Sequence, residues 1–138
     1  MKACFADTFY FLALRNQRDQ AHALALAATE QLAGCSLVTT AWVLTEVADA
    51  LAEPANRKGF EELLNLLRSN PLVTIVPPSR QLFEQGIEFY GRRPDKAWSL
   101  TDCISFVVMD GQGIQDALTG DHHFEQAGYR ALLKSDTS

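Results

Sequence analysis

The sequence predicts an α/β fold built around a mostly parallel sheet. Two observations carry that expectation. Short apolar or β-branched runs alternate with longer helix-forming runs along the chain. No internal repeat, low-complexity tract or long linker interrupts the alternation. A chain of 138 residues, 47% hydrophobic and 21% charged, fits one ordinary domain that can bury a core.

The elements are read in order. Ala3–Ala6 is short and apolar, as a buried strand is, and it ends at Asp7 with a helical stretch beyond. Gln17–Leu32 is rich in Ala, Leu, Gln and Glu and reads as a helix stopped by Gly34. Ser36–Thr39 is a second strand. Ala41–Leu51 spaces Val43, Val47, Ala50 and Leu51 as one helical face, and Pro54 ends it. Arg57–Leu67 is a further helix, closing near Asn70-Pro71. Leu72–Val76 is a β-branched strand terminated by Pro77-Pro78. Ser79 suits the N-cap of a helix to about Tyr90, and Gly91–Trp98 reads as a polar loop. Thr101–Met109 is almost wholly apolar, so periodicity leaves helix and strand both open. The Ser99-x-x-Asp102 start favours a helix, and Gly111-x-Gly113 reads as its stop. Gln115–Thr119 is a weak strand, a short helix follows Asp121, and Tyr129–Leu133 is a last edge strand. One domain over 1–134 and a frayed tail at 135–138 complete the expectation.

Composition narrows the class. No run approaches the ~18 apolar residues that span a bilayer. The N-terminus is interrupted by Asp7 and lacks a cleavage site, so a cytoplasmic location is expected. Cys4, Cys35 and Cys103 are odd in number and form no C-x-x-C pair, which excludes a structural zinc knot and fits reduced thiols. The net charge of −5 argues against nucleic acid as a partner unless cations neutralise clustered acids.

Four acids supply such a cluster. Asp7 and Asp121 follow strands, where ligands of parallel α/β sheets bind. Asp102 begins a helix. Glu46 shares the apolar face of its own helix, a costly place for an unpartnered carboxylate. Each aspartate alone reads more simply as a helix cap, and Glu46 alone equally as a snorkelling side chain. Four acids converging at one end of a sheet repel one another unless a divalent cation binds. Oxygen donors suit Mg²⁺ or Mn²⁺, one or two ions, rather than zinc.

The same residues carry a family resemblance. Ala6-Asp7-Thr8 after the first strand, Thr40 leading to Glu46-Val47, Ser99-Leu100-Thr101-Asp102-Cys103 before an apolar helix, and Leu118-Thr119-Gly120-Asp121 with Phe124 stand in order. Along nearly the whole chain this resembles single-domain PIN proteins such as the VapC-type toxins. The resemblance implies a three-layer sandwich with helices on both sides of the sheet. It implies an endoribonuclease in which Asp7, Glu46, Asp102 and Asp121 are the catalytic, metal-holding acids. Thr8, Thr101 and Thr119 would orient carboxylates or waters. Hydrolysis by metal-activated water, leaving a 5′-phosphate and a 3′-hydroxyl, is the expected chemistry. An antitoxin protein and a second copy of the chain are the expected partners.

RNA contacts are expected from Arg15, Arg18, Arg92, Arg93 and Lys96, each of which reads alone as a solvated surface charge. Trp98 is a candidate base-stacking platform, though packing under the following helix is the simpler role. Asp95 fits a turn better than a metal site. His122 and His123 follow Asp121, and a solvent-facing first turn is the plainer reading of both. No H-E-x-x-H, P-loop or G-x-S-x-G motif is present. Phe9 stands where haloacid dehalogenase-like phosphatases place a second aspartate. A PIN-like binding module without catalysis and a housekeeping RNA or DNA nuclease are the competing readings.

Overall fold

The computed structural model describes residues 2–134; Met1 and the expected tail at 135–138 lie outside the described residues. The strands are β1 (Ala3–Ala6), β2 (Ser36–Thr40), β3 (Val73–Val76), β4 (Asp116–Leu118) and β5 (Arg130–Ala131). The helices are α1 (Thr8–Arg15), α2 (His22–Gln31), α3 (Ala41–Ala50), α4 (Arg57–Ser69), α5 (Arg80–Arg92), α6 (Leu100–Gln112) and α7 (His122–Gln126).

The five strands form one sheet in the order β3-β2-β1-β4-β5, every pairing parallel. Parallel neighbours need crossovers, and each crossover here contains at least one helix. In β1 and β4, consecutive residues Cys4, Phe5, Ala6 and Asp116, Ala117, Leu118 are all buried. Side chains alternate between faces along a strand, so both faces of the central sheet are covered. Phe5, Phe11, Phe106 and Phe124 are among the largest fully buried side chains, and Phe106 packs edge-on against Phe124. β1 is the central strand, and the chain leaves it leftward to β2 and later returns to its other edge as β4. Beyond the carboxyl ends of strands at such a reversal, here β1 and β4, lies the crevice in which open α/β sheets bind ligands.

Local chemistry explains where the elements differ from expectation. The helix expected from Gln17 begins only at His22. Asn16 Oδ1 accepts from the Arg18 N–H and Asp19 Oδ1 from the Ala21 N–H, so two side chains divert backbone donors a helix would use. The apolar Thr101–Met109 run is helical, with Ser99 and Asp102 exchanging both bonds of a capping box and Gly113, at φ +67°, closing the helix. α5 runs through Gly91 and Arg92, which shortens the expected loop. Ala50, expected on the apolar stripe of α3, is exposed, while Val43, Leu44 and Val47 are buried. Cys4 and Cys103 are buried, Cys35 is half-buried, and all three are free thiols. No helix among the described residues is long and apolar enough to cross a membrane.

Candidate metal centre

Four chain segments bring the four acids to the crevice. Asp7 follows β1 directly and is held there by the ladder, its N–H donating to the Leu118 carbonyl of β4 at 3.3 Å. Thr119, at the end of β4 and fully buried, donates its Oγ1 to Asp7 Oδ2 at 2.9 Å and accepts from the Asp121 N–H at 3.1 Å. One hydroxyl therefore ties the acid after β1 to the acid after β4. Glu46 projects from α3, where Thr8 Oγ1 donates to its Oε1 at 2.6 Å. Asp102 comes from the first turn of α6, its Oδ2 accepting from the Ser99 N–H at 3.1 Å. Asp121 caps α7, its Oδ1 accepting from the His123 N–H at 2.9 Å.

Capping is thus a real role of Asp102 and Asp121, but it engages one oxygen of each. Among the described residues, Glu46 Oε2, Asp102 Oδ1 and Asp121 Oδ2 have no hydrogen-bond donor. Asp7 makes no side-chain cap of α1. No Lys or Arg among the described residues is ion-paired with any of the four.

The electrostatic cost is visible on Asp7. Burial pushes its pKa up to about 7, and the Asp102 and Glu46 carboxylates add to the rise against the bonds from Thr119 and Thr8. Asp102 is also raised, by burial first and then by Asp121, against the bonds from Ser99 and His123. By contrast Asp116, at the other end of β4, is held low despite its burial by bonds from Lys2 and Arg130. The fold therefore supplies Lys and Arg partners to one buried aspartate and, among the described residues, gives the cluster none.

His123 enters this site although the sequence favoured a solvent-facing position. Its Nδ1 lies 3.1 Å from Asp102 Oδ2 and 3.4 Å from Asp121 Oδ1. The contact with Asp102 spans 21 residues, so only the tertiary fold reveals it. His122 keeps the expected exposure. Asp121, His122 and His123 together place potential ligand atoms within 4.8 Å of one another.

The other expected residues divide. Thr8 and Thr119 touch the acids, while Thr101 lies in the same first turn as Asp102 and gives its carbonyl to Ser105. Arg15 pairs with Glu62 at 3.4 Å, and Arg92 lies over Phe89 and pairs with Glu88 at 4.0 Å. Arg93 grips Asp95 with two bonds of 3.0 Å and covers the Trp98 ring, which fixes Asp95 as a turn residue. Trp98 is buried against Phe89 and Phe106 and donates to Gln126, so the base-stacking role is excluded and the packing role holds. Arg18 and Lys96 carry no ion pair among the described residues.

The chain is similar to known proteins along nearly its whole length. The chain is 29% identical over 127 residues to the 23S rRNA-specific endonuclease VapC20 of Mycobacterium tuberculosis, covering 91% of this chain and 94% of that one. The crystal structure of VapC20, described as a sarcin-ricin loop cleaving toxin, matches with a TM-score of 0.78 at 28% identity, over 91% of this chain and 95% of that one. VapBC2 from Rickettsia felis, solved bound to a DNA fragment from its promoter, matches with a TM-score of 0.68 at 12% identity, over 94% and 96%. FitAcB from Neisseria gonorrhoeae matches with a TM-score of 0.65 at 16% identity, over 93% and 95%. The last two share the fold alone. No family model matches the chain.

Proposed function

We propose, on the premise that the chain belongs to the VapC-type PIN-domain proteins, that it is a metal-dependent endoribonuclease. One observation supports this most: four carboxylates from separate segments meet in the crevice beside the central strand without a Lys or Arg partner. A binding module gains nothing from that arrangement, because clustered acids repel RNA and one another.

The donor set fits a hard divalent cation, Mg²⁺ or Mn²⁺, one ion or two. It offers carboxylate oxygens, some without protein donors, in a buried and surplus-negative site. Asp7, Glu46, Asp102 and Asp121 would hold the ion. When bound, such an ion polarises the phosphodiester and makes water a competent nucleophile near neutral pH.

The chain's own residues set the geometry. Thr119 locks Asp7 and the Asp121 backbone into one arrangement, and Thr8 fixes Glu46. The Ser99 N–H orients Asp102. These bonds remove rotamer freedom from the acids before substrate arrives, which is the protein's contribution to such sites. Thr101 takes a lesser place, near the acids without a bond to them. Of the five expected RNA-binding cations, Arg18 and Lys96 carry no ion pair among the described residues and reach phosphates most readily; Arg15, Arg92 and Arg93 must first leave local partners.

Residues 1–134 act as one nuclease domain in this reading. RNA is the substrate, and the biological setting is a toxin held by an antitoxin protein, with a second copy of the chain as a further partner. Exposed Leu66, Phe83, Ile87 and Tyr90 supply apolar surface for protein partners. Purified protein incubated with a mixed RNA pool and Mg²⁺ or Mn²⁺ tests the activity. Cutting that vanishes with EDTA and in Asp102→Asn is expected. Unchanged cutting in Asp102→Asn would remove the acids from the mechanism.

A further inference from the structure

The imidazole of His123 is aimed at two of the four acids. Its Nδ1 faces Asp102 Oδ2 at 3.1 Å and Asp121 Oδ1 at 3.4 Å, so one imidazole nitrogen stands between two of the acids. Octahedral ligands about 2.1 Å from a cation lie about 3.0 Å apart along an edge of the octahedron. The two separations measured from Nδ1 are close to that edge. The turn that carries His123 is also fixed. Phe124, the next residue, is fully buried against Phe5 and Phe106, and the Asp121 side chain pins the His123 N–H. His122 offers the contrast: its Nδ1 is 3.7 Å from Asp121 Oδ1 and its side chain is 67% exposed.

We propose that His123 Nδ1 is a nitrogen ligand to the divalent cation shared by Asp102 and Asp121, and that it biases the site toward Mn²⁺ over Mg²⁺. The inference rests on the metal-site reading above. Mg²⁺ takes hard oxygen donors almost exclusively, whereas the softer Mn²⁺ accepts an imidazole nitrogen among carboxylates. In the absence of a cation the same nitrogen hydrogen-bonds to Asp102, which keeps the ring aimed into the site.

The test uses Mn²⁺ alone and Mg²⁺ alone with the full chain, without RNA. Calorimetric titration of the wild type, His123→Asn, His122→Ala and Asp102→Asn is combined with pulsed electron paramagnetic resonance of bound Mn²⁺. The wild type is expected to show modulation from a directly coordinated nitrogen, and His123→Asn to lose it. His123→Asn is expected to weaken Mn²⁺ by about tenfold or more while Mg²⁺ changes much less, with His122→Ala unchanged. Bound Mn²⁺ without coordinated nitrogen in the wild type would overturn the inference, and so would equal weakening of both cations. Asp102→Asn separates the two levels: if it leaves both affinities intact, the metal-site reading itself fails. The wild-type spectrum needs no variant, so a misfolded His123→Asn cannot hide the answer.

Discussion

Asp7 shows how a single residue records the function. Its carboxyl is raised from 3.8 to about 7, first by burial and then by neighbouring carboxylates. The folded state therefore keeps a proton that the unfolded chain has released between about pH 4 and 7. Stability of the cation-free protein falls as pH rises through that window, by a few kcal/mol, on the order of 4 at most. Asp7→Asn removes the penalty. In EDTA at pH 8 the variant is expected to melt above the wild type, while RNA cutting is lost; a lower melting temperature would contradict the assignment of cost to this carboxylate. Thr8→Val should leave the fold intact and weaken cation binding by about 10- to 100-fold, read by calorimetry, because Glu46 loses the hydroxyl that orients it. Unchanged affinity would reduce Thr8 to a helix residue. That Asp7, Glu46 and Asp121 stand out was legible in the sequence, because a carboxylate on an apolar stripe or after a strand is costly without a reason; Asp102, at a helix start, joined them only through the family resemblance. His123 was not legible, because its partner Asp102 is remote in the chain and nothing local distinguishes it from His122.

At the scale of elements, the α5–α6 pair frames the turn that presents Asp102. The two helices approach closely at Gly86, where an added Cβ would come within 2.3 Å of Ile104 Cγ1. Ile104 is fully buried, so relieving that approach means displacing packed neighbours. Gly86→Ala is expected to destabilise by about 1–3 kcal/mol in urea unfolding. Combining it with Ile104→Ala should cost less than the sum of the two changes, since the second relieves the clash made by the first. Additivity would mean the helices separate freely. Element type was read well where caps and breakers stood: Ser79, Ser99, Pro54 and Gly113 mark ends that the structure keeps. The start of α2 was misread because Asn16 and Asp19 compete for backbone donors within a run of good helix formers.

At the scale of the molecule, strand order decides where the acids meet. Alternation of strands and helices announced a parallel sheet, but the order β3-β2-β1-β4-β5 depends on crossovers that local patterns do not specify. Charge is the other global property. A net charge of −5 leaves RNA affinity dependent on a few local cations. If all of Arg15, Arg18, Arg92, Arg93 and Lys96 met phosphates, binding to a single strand would fall with log salt at a slope of about −3.5. Arg15, Arg92 and Arg93 are already paired, so the non-cutting Asp102→Asn protein is expected to show a shallower slope in filter binding. A steeper one would mean that other basic surface binds RNA.

The central claim is hydrolysis at the acidic crevice, and the chemistry of the cut ends tests it most directly. Products of RNA cleavage with Mg²⁺ or Mn²⁺ are expected to carry a 5′-phosphate and a 3′-hydroxyl, to be ligatable without end repair, and to be absent with EDTA. Fragments ending in 2′,3′-cyclic phosphate and formed equally in EDTA would contradict the account, since internal attack by the 2′-hydroxyl needs neither the cation nor the four carboxylates that would hold it.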